Sequence, residues 1–250
     1  MKIQIVENYS EMSRRAADIF EAVINQKKNC VLGFATGDTP IGLYNCLAND
    51  CSAGKLDFSG AVSFNLDEYY PISPDNEQSY RYFMNSHLFD RVNIKKENTF
   101  VPDGQAENVE KSCEIYEKTI DGFGGIDIQI LGIGRNGHIG FNEPSAEGLF
   151  PYTHVTDLTP NTIDANSRFF ESSDDVPKQA LTMGIESIFK AKKIVILASG
   201  EGKAEAVKRM IEGKITTECP ASLLRLHPDV TLICDKDAAK NICYTDSITK

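Results

Sequence analysis

No stretch of this chain is apolar for the ~18 residues that a membrane span needs, and residues 1–8 show no basic start followed by an apolar run of the kind that directs export. A chain neither exported nor anchored is expected, working in the cytoplasm. Paired cysteines are lacking too. The seven, Cys30, Cys46, Cys51, Cys113, Cys219, Cys234 and Cys243, include no C-x-x-C, and an odd number cannot all pair internally. They read as reduced thiols, with Cys30 and Cys234 inside apolar runs as small buried side chains. With only four histidines no zinc-type spacing occurs, so no metal is expected. Positive charge is in deficit, and a formal net charge of -10 disfavours a broad surface for nucleic acid or anionic membrane. A small anion held by local donors stays possible.

What is present has the balance of an ordinary globular protein, 41% hydrophobic and 25% charged, in a chain long enough for one large domain over residues 1–250. Short β-branched runs recur at 2–6, 30–35, 61–66, 126–133, 193–199 and 230–234. Most are followed by helical spacing, with helices predicted near 10–25, 40–48, 79–89, 106–120, 202–212 and 220–227. Cys30-Val31-Leu32-Gly33-Phe34 and Ile194-Val195-Ile196-Leu197 are apolar on successive residues, so both faces of those strands are covered. The expected fold is therefore α/β: an open, mostly parallel, Rossmann-like sheet between helix layers. Residues 143–178 are polar, carry four prolines and show little periodicity, which predicts a covering lid segment rather than a linker.

In such a sheet the ligand crevice lies beyond the carboxyl ends of the strands, so the residues after each apolar run carry the chemistry. After 30–35 comes Thr36-Gly37-Asp38-Thr39-Pro40, where Gly37 permits an unusual turn, Thr39 can cap and Pro40 suits a first helical position. A helix start of this kind offers N–H groups to a phosphate, although Asp38 opposes one unless it points away. After 61–66 comes Asp67-Glu68-Tyr69. In extended backbone neighbours face opposite ways, so only one acid should reach a pocket, and taken alone such a pair is more often a solvated turn.

The third end, Gly132-Ile133-Gly134-Arg135-Asn136-Gly137-His138-Ile139-Gly140-Phe141-Asn142-Glu143-Pro144, is the most informative. Its glycines allow close approach to a ligand, His138 can carry a proton near neutral pH, and Glu143 is near enough in sequence to orient the imidazole. The spacing is not that of a dinucleotide site. A fourth end, Ser199-Gly200-Glu201-Gly202-Lys203, lacks Walker A spacing but offers Lys203 as a point charge for a phosphate. Arg168, in the covering segment, could clamp a phosphate bidentately or simply stack on Phe169 or Phe170.

These residues resemble the glucosamine-6-phosphate deaminase (isomerase) family. The resemblance runs through Val31-Leu32-Gly33, Thr36-Gly37 and Thr39-Pro40, then Asn65–Tyr69, Gly134–Pro144, Ala165–Phe170 and Ala180–Gly184, in order along nearly the whole chain. It implies a cofactor-free conversion of glucosamine 6-phosphate and water to fructose 6-phosphate and ammonia. In that reading Asp67 resembles the base that moves a proton from C2 to C1, and His138 the group that opens the sugar ring. Glu143 and Asn136 resemble the relay orienting His138. Thr36, Gly37, Asp38, Thr39, Gly137, Arg168 and Lys203 would bind the substrate.

Asn136 stands where many members carry Asp, and Asp38 where Gly or Ser is usual. Phe150-Pro151-Tyr152-Thr153 replaces a Ser-Arg-Thr-like stretch, which weakens the case for regulation by a second sugar phosphate. The chain also stops soon after Cys234, so a monomer is expected. The competing readings are a hydrolase of the 6-phosphogluconolactonase type and a non-catalytic sugar-phosphate sensor.

Overall fold

The computed structural model describes residues 1–160, 163, 170 and 176–243. Arg168 lies outside the described residues. The apolar runs become the strands β1 (Lys2–Val6), β2 (Val31–Phe34), β3 (Val62–Asn65), β6 (Ile128–Gly132), β9 (Ile194–Ala198) and β10 (Val230–Asp235). With the two-residue β5 (Thr99–Phe100) they form a seven-stranded sheet, ordered β1-β10-β9-β6-β2-β3-β5, in which every pairing is parallel. Strands β2, β9 and β10 are buried along their whole length, and the unbroken apolar sequences of β2 and β9 require cover on both faces. The fully buried Phe20, Phe34, Phe64 and Tyr44 belong to one continuous apolar core around this sheet.

The helices that matter for the site follow the strands. They are α1 (Tyr9–Gln26), α2 (Ile41–Ser52), α3 (Tyr80–His87), α4 (Val109–Gly122), α5 (Ile185–Phe189), α6 (Ala204–Glu212) and α7 (Pro220–Leu223). Helix α3 starts at Ser79, whose hydroxyl accepts the Tyr82 N–H at 3.0 Å and so satisfies one donor of the first turn.

The chain runs outward from β2 to β3 and β5, then returns to place β6 on the other side of β2. That reversal is a topological switch point, where diverging loops leave a crevice at the carboxyl edge. Because β9, β6, β2 and β3 are neighbours and parallel, the four ends singled out by sequence all emerge on this one edge.

A second, three-stranded antiparallel sheet was not expected. It has the order β4-β8-β7, from β4 (Asp67–Tyr70), β8 (Gln179–Thr182) and β7 (His154–Asp157). Only Leu66 separates β3 from β4, so Asp67 does not sit in a turn: it opens a strand. The segment expected to be a covering lid contributes β7 to this sheet. A second apolar cluster, of Tyr69, Ile72, Phe141, Leu158 and Ala180, packs the small sheet against the glycine-rich loop after β6.

Candidate active site

The loop after β6 folds back on itself. Gly134 N–H donates to the His138 carbonyl at 2.9 Å, and Gly137 N–H to the Gly134 carbonyl at 3.0 Å. Gly137 has φ +90, a left-handed conformation open to glycine, and a side chain there would strike the Cys219 sulfur at 2.7 Å. At Gly134 a Cβ would stand 2.4 Å from the His138 ring, so the imidazole lies in the space that the missing side chain vacates.

His138 Nδ1 is 3.1 Å from Glu143 Oε1, at ion-pair distance but with an approach outside that of a formed hydrogen bond. The other Glu143 oxygen, Oε2, accepts Asn136 Nδ2 at 2.6 Å. Asn136 Oδ1 in turn accepts the His138 backbone N–H at 3.2 Å. The three residues form a closed ring of contacts.

Supports that the sequence did not disclose come from far along the chain. Arg209 of α6 donates to the Asn136 carbonyl at 3.3 Å and to the Glu218 carbonyl at 2.8 Å, while Ala221 N–H donates to the Gly137 carbonyl at 2.9 Å. Thr217 and Ser145 exchange two hydrogen bonds, of 2.6 and 3.1 Å. A cavity of about 590 Å³ opens here, lined by Asn136, Glu143, Ser145, Thr159, Arg209 and Glu218 among others. A second cavity, of about 570 Å³ between α4 and residues 150–155, includes none of the proposed site residues in its wall.

Asp67 is 6% exposed and Glu68 2%, so neither acid forms the solvated turn that an isolated pair suggests. Burial, then the charge of Glu68, pushes the Asp67 carboxyl up to about 8. Burial also lifts Glu68, to about 7, against the pull of three backbone N–H donors. Asp67 pairs across the small sheet with Thr182. The Thr182 hydroxyl accepts the Phe141 N–H at 3.1 Å, and Asn142 Nδ2 donates to the Met183 carbonyl at 2.8 Å. Phe141 stacks on Tyr80 with ring centroids 6.2 Å apart and packs on Tyr69. The strand carrying Asp67 and the loop carrying His138 are thus tied together by hydrogen bonds and a shared aromatic cluster.

At the end of β2, Gly37 takes φ +95, as the turn demands. The expected cap does not form: α2 begins at Ile41 with Pro40 at its cap position and no side-chain bond there. Two of its first N–H groups are already used, Ile41 by the Asp38 carbonyl at 3.4 Å and Gly42 by the Tyr9 hydroxyl at 2.8 Å. Any anion held here must use the backbone of the turn itself or later donors.

Beyond β9, Lys203 is half-buried and donates to the Ile133 carbonyl at 2.7 Å. It therefore stands at the end of β6, beside the glycine loop. Burial and the nearby Arg135 guanidinium hold its pKa below the ordinary lysine value. Arg135, whose Nε would lie 3.4 Å from a Cβ at Gly202, adds a second cation that the motif reading passed over. Among the described residues no cluster of His, Cys, Asp and Glu could hold a metal ion. No helix among them is long and apolar enough to cross a membrane.

The chain matches the model of the glucosamine-6-phosphate isomerases/6-phosphogluconolactonase family over residues 6–233. It is 56% identical over 242 residues to the glucosamine-6-phosphate deaminase of Thermoanaerobacter pseudethanolicus, covering 97% of this chain and 95% of the relative. To that of Clostridium perfringens it is 57% identical over 240 residues, covering 96% and 99%. The solved structure of a monomeric glucosamine-6-phosphate deaminase superposes with a TM-score of 0.92 at 45% identity, covering 96% of this chain and 100% of the other. The 6-phosphogluconolactonase of Trypanosoma cruzi, at 22% identity and a TM-score of 0.78 with 97% of each chain covered, shares the fold. With a matching family model over most of its length and relatives above half identical from end to end, the chain belongs to the glucosamine-6-phosphate isomerase/6-phosphogluconolactonase family.

Proposed function

We propose that this protein is an enzyme that converts glucosamine 6-phosphate and water to fructose 6-phosphate and ammonia. The observation that carries the reading is end-to-end identity of 56–57% with proteins named for that deamination. Asp67, His138 and Glu143 are all present on one edge of the sheet, as the reaction needs.

The closed sugar exposes no carbonyl, and its C2 hydrogen is not acidic until the ring opens. Two proton carriers are therefore needed. His138, held near Glu143, donates a proton to the ring oxygen as the ring opens at C1 and takes one from the C1 hydroxyl. Asp67 removes the C2 proton from the open-chain aldehyde and returns it to C1, which leaves an imine at C2. Water adds to that carbon, the C–N bond breaks, and ammonia leaves with the ketose formed.

A buried carboxylate raised to about 8 is a stronger base than a solvated one, but it must first lose its own proton. A cationic amino group at C2, brought close to Asp67, favours the ionised form. Lys203, the turn 36–39, Gly137 and Arg168 supply the phosphate and sugar contacts in this proposal, with Arg135 as a further cation. The enzyme acts without a cofactor, as a monomer in the cytoplasm.

Incubation of the purified protein with a panel of hexosamine phosphates, with ammonia and ketose phosphate both measured, tests reaction and substrate together. Hydrolysis of 6-phosphogluconolactone without ammonia release would instead establish the lactonase reading. Tight binding of glucosamine 6-phosphate with no product would establish a sensor.

A further inference from the structure

The proposed chemistry uses Asp67 and leaves its neighbour Glu68 without a task. Glu68 accepts three backbone N–H groups: Tyr69 at 2.9 Å and Tyr80 at 2.8 Å on Oε1, and Arg81 at 2.9 Å on Oε2. Two of these donors are the first turn of α3, whose open N–H groups favour a negative charge. The Arg81 guanidinium is turned elsewhere, to the Thr99 hydroxyl and carbonyl, both at 2.8 Å. Among the described residues no Lys, Arg or His makes a salt bridge to Glu68 or to Asp67.

Two consecutive acids are thus buried with no salt-bridged cation among the described residues. An amide here could accept the Tyr69 and Tyr80 N–H groups but would turn an NH2 donor toward the Arg81 N–H, so the three-donor staple calls for a carboxylate, whose buried charge then lies one residue from Asp67. The staple also reaches the other half of the site, because Tyr80 stacks on Phe141, three residues beyond His138.

We infer that Glu68 is a positioning residue for Asp67: it pins β4 to the first turn of α3 and places a second buried carboxyl beside the base, setting how strong a base Asp67 is. The inference rests on Asp67 being the base of the proposed reaction. The other groups that face Asp67 cannot do this in the working pH range. Tyr44 of α2, Tyr80 of α3 and Tyr116 of α4 all have their pKa raised by burial and remain neutral, Thr182 across β8 carries no charge, and Arg81 acts on Glu68.

Carboxyl ¹³C NMR titration of the wild-type protein and of Glu68→Gln, run beside pH profiles of kcat/KM for ammonia release, tests this. In the wild type the Asp67 and Glu68 resonances should each move in both of two steps, the signature of a coupled pair. In Glu68→Gln the Asp67 carboxyl should titrate in one step, lower by about one to two pH units, as expected for a removed like charge at an effective dielectric of about 20. The acid limb of kcat/KM should shift the same way. Glu68→Asp, which keeps the charge and shortens its reach, should leave that limb near the wild-type position while lowering Tm.

An unshifted acid limb and unshifted Asp67 titration in Glu68→Gln would reduce Glu68 to a structural staple. So would independent single-step titrations in the wild type, a result that stands even should the variants fail to fold. If the wild type releases no ammonia, the functional reading fails, and the carboxyl titrations still decide the role of Glu68.

Discussion

Gly134→Ala is a substitution whose effect can be worked out from the structure. Gly134 does not have a positive φ, so alanine is tolerated by the backbone, and the whole perturbation falls on one neighbour. The new Cβ would lie 2.4 Å from Cδ2 and Nε2 of His138, where ordinary carbon contacts begin near 3.4 Å. The ring must therefore move by about 1 Å. It is a side chain with room to tilt, so the stability change should stay within about 1 kcal/mol. The geometry of catalysis is less forgiving. A displacement of about 1 Å separates Nδ1 from Glu143 and misaims the proton at the ring oxygen, a misplacement that commonly lowers rate by about 100-fold.

Steady-state ammonia release gives kcat/KM, and thermal melting gives stability. The decisive comparison is made in a His138→Gln background. If Gly134 acts only through the imidazole, adding Gly134→Ala there should lower the rate by less than about threefold, because effects of groups acting as a unit do not add. A further loss of about 100-fold in the double variant, or a near-normal rate in the single one, would refute the reasoning.

Asp67→Asn should abolish isomerisation and stabilise the fold at high pH. An acid whose folded pKa is raised contributes stability that is present below its unfolded value and lost as pH rises through about 8. The variant should therefore melt no differently near pH 4 but higher near pH 9, by on the order of 5 kcal/mol for a rise of about four pH units, a melting shift of ~15 °C; equal melting curves at pH 9 would contradict the burial argument. Asn136→Ala, which removes the 2.6 Å donor to Glu143, should lower kcat by about tenfold with a smaller change in KM, and an unchanged kcat would count against the relay. Lys203→Met should raise KM for the sugar phosphate more than tenfold with a smaller change in kcat, whereas an unchanged KM removes Lys203 from phosphate binding.

Six of the seven strands of the large sheet were legible as short β-branched runs, β2 and β9 apolar on successive residues as no solvated element tolerates, while the two-residue β5 was not. Nor was the small sheet. Its strands carry polar sequences such as Asp67-Glu68-Tyr69-Tyr70 and His154-Val155-Thr156-Asp157, and β4 follows β3 after one residue with no turn signal between them. The antiparallel partner of β4 is β8, more than a hundred residues away, and a local reading has no access to it. The same distinction holds in the site. His138 and Glu143 are five residues apart and their contact could be anticipated from spacing, whereas Asn136 entered only through the family resemblance. Both acids of β4 are buried, and the local pattern gives no hint that Glu68 finds its donors on α3, 12 and 13 residues away. Arg209 and Thr182 hold the glycine-rich loop from 73 and 41 residues away, and neither stands in a motif with chemistry of its own.

Turnover of glucosamine 6-phosphate in D₂O, followed by NMR, tests the central claim most directly. The expected result is ammonia together with fructose 6-phosphate carrying solvent deuterium at C1 in part of the product, a pattern that requires a base on C2 and disappears in Asp67→Asn. Deuterium incorporation and ammonia release persisting in Asp67→Asn would contradict the assignment of the buried acid as the base. Sugar recovered unchanged from the wild-type protein would contradict the reaction itself.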